Sequence, residues 1–222
     1  MKWMAVSLLA CACAGLALAK GDEDMQRLKA AGDTLSEIMA TPDKAIPADL
    51  FKKARCVVVI PGMKKAGFIF SGKYGRGFAS CRKEGGGWTP PAGMRVEGGG
   101  FGLQIGGSET DVVMLVMSEK GMNGLLASKF TLGGEASAAA GPVGRDATAQ
   151  TDATMRADIL SWSRSRGVFG GLSLQGGTLR EDTETNESLY GKKLPNKEVL
   201  SGSFTKSLPG DTFSTKLSEY GG

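Results

Sequence analysis

Glycine constrains this chain more than any other residue. The sequence holds 34 of them, and from Pro61 onward they cut the apolar stretches into short pieces. Pieces bounded by such turn residues read as short strands rather than long helices. Cys56, Val57, Val58, Val59 and Ile60 form a β-branched run that predicts a buried strand, ended by Pro61 and Gly62. Further short strands are predicted over 67–70, 76–82, 94–106, 111–117, 134–140, 157–163 and 168–175. Within 94–106, Phe101, Leu103 and Ile105 alternate with Gly102, Gln104 and Gly106, so one face is apolar and the other bare enough for a backbone or ligand to approach closely. Short strands with a turn signal every ten residues or so build a strongly curved antiparallel sheet, left open or closed into a barrel.

Helical periodicity opens the chain. Met25, Leu28, Ala31, Leu35, Ile38 and Met39 recur at three and four, predicting an amphipathic helix over 22–40 whose stripe faces either a core or a membrane. Short helices follow at 47–53, with Pro47 in the first turn, at 119–128 and at 183–190, and Asp211 caps a last one ending near Glu219. The stretch 192–210, rich in Ser, Lys, Gly and Pro, reads as a loosely packed connector. The expected class is α+β: a curved antiparallel sheet of short Gly-rich strands, an N-terminal amphipathic helix and short packed helices.

The N-terminus carries an address. Lys2 precedes an apolar run from Trp3 to Leu16, and Ala17, Leu18 and Ala19 form an AxA cleavage site, so residues 1–19 read as a secretory signal peptide. A retained span would need roughly 20 apolar residues, and a lipoprotein reading would place acylation at Cys11 or Cys13 after too little apolar length. The expected mature chain is one domain over 20–191 and a C-terminal tail over 192–222, exported to a periplasm or the exterior and peripheral to a membrane. In such a compartment Cys56 and Cys81 either form a disulfide or stay as two buried thiols, and both remain open.

Composition then removes whole classes of chemistry. With no histidine there is no Ser/His/Asp or Cys/His pair, no imidazole metal ligand and no side chain that titrates unaided near neutrality. Gly72, Gly75 and Gly77 lack dinucleotide-fingerprint spacing, and no Walker lysine follows a glycine loop. Asp111, Glu135, Asp146 and Asp158 are candidate acid and base groups that nothing in the sequence pairs. The expectation is a non-enzyme with no catalytic residues, no metal and no cofactor. A net charge of +4, reduced by one if Lys2 is removed, is too small to argue for nucleic acid.

The basic residues inform by position. Lys52 and Lys53 end the second helix, Lys64 and Lys65 follow the first strand, and Lys73 and Arg76 bracket the next turn. If those turns meet at one end of the sheet, the cations form a rim that attracts anionic head groups at about 1 kcal/mol each; otherwise they solubilise loops. Gly141 to Arg145 reads as an anion-binding turn with Arg145 as its cation, or as a structural turn with Arg145 paired to Asp146. Trp88, beside Pro90 and Pro91, is a membrane-edge aromatic or a core anchor.

Several spaced motifs also resemble a known family. Ile60-Pro61-Gly62 with Lys65-Ala66-Gly67-Phe68, Gly72-Lys73-Tyr74-Gly75-Arg76-Gly77, Gly87-Trp88-Thr89-Pro90-Pro91-Ala92, and Gly102, Gln104, Ile105, Gly106 with Asp111 are similar, in order, to the SYLF domain. Gly141 to Arg145, Ser161-Trp162-Ser163-Arg164-Ser165-Arg166-Gly167-Val168-Phe169-Gly170-Gly171, and Asn186 with Tyr190 and Gly191 continue the pattern. The resemblance implies a lipid-binding module without catalytic residues. Eukaryotic members bind phosphoinositides and in some cases actin, and bacterial members are exported. Trp162, Arg166 and Leu189 depart from the family's usual Tyr, Lys and Tyr. The expected partner is therefore an anionic phospholipid or membrane surface, met through Lys52, Lys53, Lys64, Lys65, Lys73, Arg76 and Arg145, with a protein-interaction or envelope-structural role as the alternative.

Overall fold

A computed structural model describes residues 2–41, 45–67, 70–101, 106–142, 156–165, 168–171, 174 and 176–221. In chain order the elements are α1 (Lys2–Met39), α2 (Ala48–Lys53), β1 (Cys56–Gly67), β2 (Phe70–Cys81), β3 (Ala92–Phe101), β4 (Gly106–Val116), α3 (Glu119–Leu126), β5 (Lys129–Thr131), β6 (Ala138–Ala140), β7 (Ile159–Ser165), β8 (Val168–Gly171), β9 (Thr178–Glu181), α4 (Thr183–Tyr190), α5 (Asn196–Leu200) and α6 (Thr212–Gly221). The class is α+β, as the sequence predicts.

The strands form one sheet in the order β5-β9-β3-β2-β1-β4-β7-β6, with β8 added to β7. Its outermost strands, β5 and β6, are joined by residues 132–137 alone. So short a link requires the sheet to curl until its two edges approach, and a bridge between Leu132 and Ala136 lies within the link itself. Pairing is antiparallel except for β6, which runs parallel to β7.

β1 differs from expectation. Pro61 and Gly62 do not end it: the strand runs on to Gly67 through a bulge, where its register slips against both neighbours. Pro61 has no N–H to give the ladder, and Gly62 turns to φ +58°, donating its N–H to the Asp111 carboxylate at 2.8 Å. The predicted strand 94–106 is in turn divided, because β3 ends at Phe101 and β4 begins at Gly106; the alternating residues 102–105 lie outside the described residues.

The core explains why the central strands read as unbroken apolar runs. Val57 to Ile60 of β1 and Val112 to Val116 of β4 are fully buried. α1 packs across β1 and β2, burying Leu28, Ala31, Leu35 and Ile38 completely, so its stripe is a core face; each large side chain there contributes about 2 kcal/mol. α6 lies against α1, where a methyl group on Gly32 would come within 2.8 Å of the Thr212 carbonyl carbon. Residues 192–210 are no loose connector: Leu194, Asn196, Val199 and Leu200 are buried, and Phe204 packs edge-on against Tyr190 at 4.9 Å. Cys56 and Cys81, directly opposite on β1 and β2, are joined as a disulfide. Among the described residues no helix is long and apolar enough to cross a membrane.

Candidate functional site

Beyond the bulge, β1 and β2 pair Lys64 with Tyr74, Lys65 with Lys73, Ala66 with Gly72 and Gly67 with Ser71. Side chains alternate along a strand, so Lys65 and Lys73 share one face of this hairpin end and Lys64 and Tyr74 the other. Following β2 along the Lys73 face leads to Gly75, opposite the fully buried Val96, so Lys65 and Lys73 stand where the interior face opens to solvent. Lys73 lies along the bare backbone of β3: a methyl on Gly98 would meet its Cε at 2.8 Å. Burial first, and then the facing Lys65 ammonium, lower the pKa of Lys73. On the opposite face Tyr74 is 48% exposed, the one large hydrophobic side chain so exposed among the described residues.

Glycine sets this geometry. A methyl on Gly75 would meet Ile60 Cγ2 at 2.5 Å, and one on Gly77 would fall 2.0 Å from the Val59 carbonyl oxygen. The missing side chains let β2 fold closely over the bulge.

The basic residues do not meet at one rim. Lys52 and Lys53 are exposed in the last turn of α2, which leads into Cys56 at the far end of β1 from Lys64 and Lys65. At about 3.3 Å per strand residue the two groups stand roughly 25 Å apart. Lys64, Lys65, Lys73 and Arg76 are also strand residues and not turn residues, because β1 and β2 are longer than their apolar runs. Arg76 is an internal ion-pair partner: its Nε donates to Asp182 at 2.7 Å, its Nη2 donates to the Thr185 hydroxyl at 2.7 Å, and Asp24 lies 3.9 Å away. Arg145 lies outside the described residues.

The candidate acids are likewise committed to structure. Asp111 receives the Gly62 N–H and, at 2.6 Å, Arg164 Nη2. Asp158 accepts from the hydroxyls of Ser118 and Ser137, which outweigh its burial and lower its pKa. Glu135 accepts the Thr131 N–H, and Asp146 lies outside the described residues. An open cleft of ≈ 410 Å³ between α1 and the bulge is lined by Arg27, Glu37, Gly62, Glu109, Asp111 and Arg164, but Arg164 crosses it to hold both Glu37 and Asp111. Trp88 is a core anchor, 9% exposed, with its ring 6.2 Å from Phe51.

Tyr74 was not legible as a site residue, because only the outward register of β2 exposes it. The hairpin end is thus two-faced, with Lys64 and the exposed Tyr74 on one side and Lys65 and Lys73 on the other.

Comparison with known proteins places the chain in a family. The model of the Ysc84 family, described as Las17-binding protein actin regulator, matches residues 97–219. This chain belongs to the Ysc84 (SYLF) family. It is 36% identical to Protein YSC84 of Saccharomyces cerevisiae over 165 residues, covering 72% of this chain and 35% of that protein. The figures are the same for LAS seventeen-binding protein 3 of the same yeast. With SH3 domain-containing YSC84-like protein 1 of Bos taurus it shares 31% over 166 residues, 74% of this chain and 48% of the relative. The chain thus spans between about a third and a half of the length of these curated relatives.

Proposed function

We propose that this chain is a non-enzymatic binding module that docks a protein partner through the free end of the β1–β2 hairpin. The observation that carries it is the free hairpin end itself, with Lys64 and the exposed Tyr74 on one face and Lys65 and Lys73 on the other. Aromatic and cationic groups held on rigid strands present contact area and charge at little entropic cost. The family description names a Las17-binding actin regulator and a relative is named for binding LAS seventeen, which supports a protein as the ligand.

A second reading rests on the same residues. A tyrosine beside lysines suits the head-group layer of an anionic phospholipid membrane, where each cation contributes about 1 kcal/mol. The apolar run 3–16 and the Ala17-Leu18-Ala19 site support export, so N-terminal sequencing of the secreted protein should begin at Lys20.

One experiment separates the two. The protein and a Lys64→Gln/Lys65→Gln/Lys73→Gln variant are cosedimented with actin filaments and captured on immobilised Las17, and both are floated with neutral and anionic vesicles at low and high salt. Binding to actin or Las17 that the variant loses, with unchanged thermal unfolding, supports the protein reading. Anionic flotation alone, lost at high salt and in the variant, replaces it with the lipid reading. Equal binding by variant and wild type removes the hairpin end from both.

A further inference from the structure

The outer side of the β2-β3-β9-β5 half of the sheet carries a feature invisible along the chain. Arg76 pairs with Arg95, Arg95 with Arg180, and Arg180 with Lys129. Residues directly opposite in adjoining strands share a face, so four cations stand in one row across four strands. The flanking residues confirm the face: Met94, Val96, Leu179 and Phe130, which alternate with the row, are buried in the core. Like charges in directly opposed positions repel, so folding alone gives no reason for the row.

Carboxylates compensate only part of it. Asp182 takes Arg76 at 2.7 Å. Glu97, two residues along β3 on the same face, lies 3.5 Å from Arg95 Nε and 2.9 Å from Arg180 Nε, yet neither Nε makes a hydrogen bond to it. One carboxylate thus balances two guanidinium groups by charge without satisfying their geometry. Among the described residues no carboxylate pairs with the exposed Lys129.

We infer that the row Arg95, Arg180 and Lys129 is a docking face for an extended acidic peptide segment of a partner protein, distinct from the hairpin end. Planar guanidinium forks recognise carboxylates in two-point fashion, and Glu97 leaves that geometry unfilled at both arginines. The side chains of Arg95 and Arg180 are 36% and 38% exposed, recessed beside the protruding Tyr74 in the next row. A flat membrane meets protruding groups first, whereas a single polypeptide strand reaches between them. Two strand separations of about 4.8 Å make the row from Arg95 to Lys129 roughly 10 Å long, the reach of about three extended residues.

The test uses the full chain and a fluorescein-labelled oligoglutamate of about six residues, with oligoglutamine as control, read by anisotropy at low salt. The Arg95→Gln/Arg180→Gln variant is expected to bind oligoglutamate at least about tenfold more weakly. Its thermal midpoint is expected to stay equal or rise, because the substitutions remove repulsion. Oligoglutamate binding that survives in the variant overturns the inference, as does a lowered midpoint, which would make the row structural. Anionic vesicles bound through these two arginines in place of the peptide overturn it as well. The Lys64→Gln/Lys65→Gln/Lys73→Gln variant retains oligoglutamate binding, so failure here and failure of the hairpin reading are told apart.

Discussion

The guanidinium of Arg82 sits 4.5 Å from the centroid of the Trp88 ring, and its N–H groups reach three carbonyl oxygens. Nε donates to Ala54 at 3.0 Å, and Nη2 donates to Gly221 at 3.1 Å and Phe51 at 3.4 Å. One side chain thus ties the ends of α2 and α6 to the β2 terminus. Arg82→Ala should cost about 2–4 kcal/mol in urea unfolding, and Arg82→Lys should recover less than half, since an ammonium cannot hold three divergent acceptors while stacking. An unchanged midpoint for Arg82→Ala would show that the three carbonyls are served equally well by water.

The close approach at Gly77 gives a sharper test. A methyl there would fall 2.0 Å from the Val59 carbonyl oxygen and 2.8 Å from Ile60 Cα, both backbone atoms of the central strand. Neither can turn aside as a side chain would. Gly77→Ala should destabilise by about 3 kcal/mol or more, whereas Gly72→Ala, where nothing lies within 4 Å, should change stability little. Similar losses for both would mean that glycine serves flexibility here and not contact.

The disulfide predicts a third effect. Cys56 and Cys81 are fully buried and lie 25 residues apart in sequence. Closing that loop restricts the unfolded chain by about 3–4 kcal/mol, so Cys56→Ala/Cys81→Ala should lower the unfolding free energy by that amount. The fold should persist, since β1 and β2 remain paired by their ladder. A variant as stable as the bridged protein would place the compensation in the ladder itself.

These positions also show where the sequence is legible. The α1 stripe and the Cys56–Ile60 run are spelled out by local periodicity, and both occupy the core. The cap at Asp211 is equally legible: its carboxylate accepts the Ser214 N–H at 2.9 Å. β5 and β9 have three and four residues, too few for any period to register. The extension of β1 past Pro61 depends on Asp111, 49 positions away, accepting the Gly62 N–H. Arg76 reads locally as one more cation near a turn, and only the long-range placement of Asp182 makes it internal. The row it begins comes from four separated segments and exists only in the register.

That pairing sets an acid limb. Burial works to raise the pKa of Asp182, but the bonds and charge of Arg76, joined by the Thr185 N–H, outweigh it and hold the carboxyl below its ordinary value of 3.8. The native carboxylate therefore gives up its proton more readily than the unfolded one does. Its contribution to stability is present above the ordinary value and is lost as pH falls through the lower native pKa. Asp182→Asn leaves Arg76 with Asp24 at 3.9 Å as its remaining carboxylate, and should cost about 3 kcal/mol near neutrality. The gap between wild type and Asp182→Asn, followed by urea unfolding from neutrality down to about pH 2, should close below the ordinary carboxylate value. A gap that stays constant over that range would mean that hydrogen bonding, and not the charge on Asp182, fixes α4 to β2.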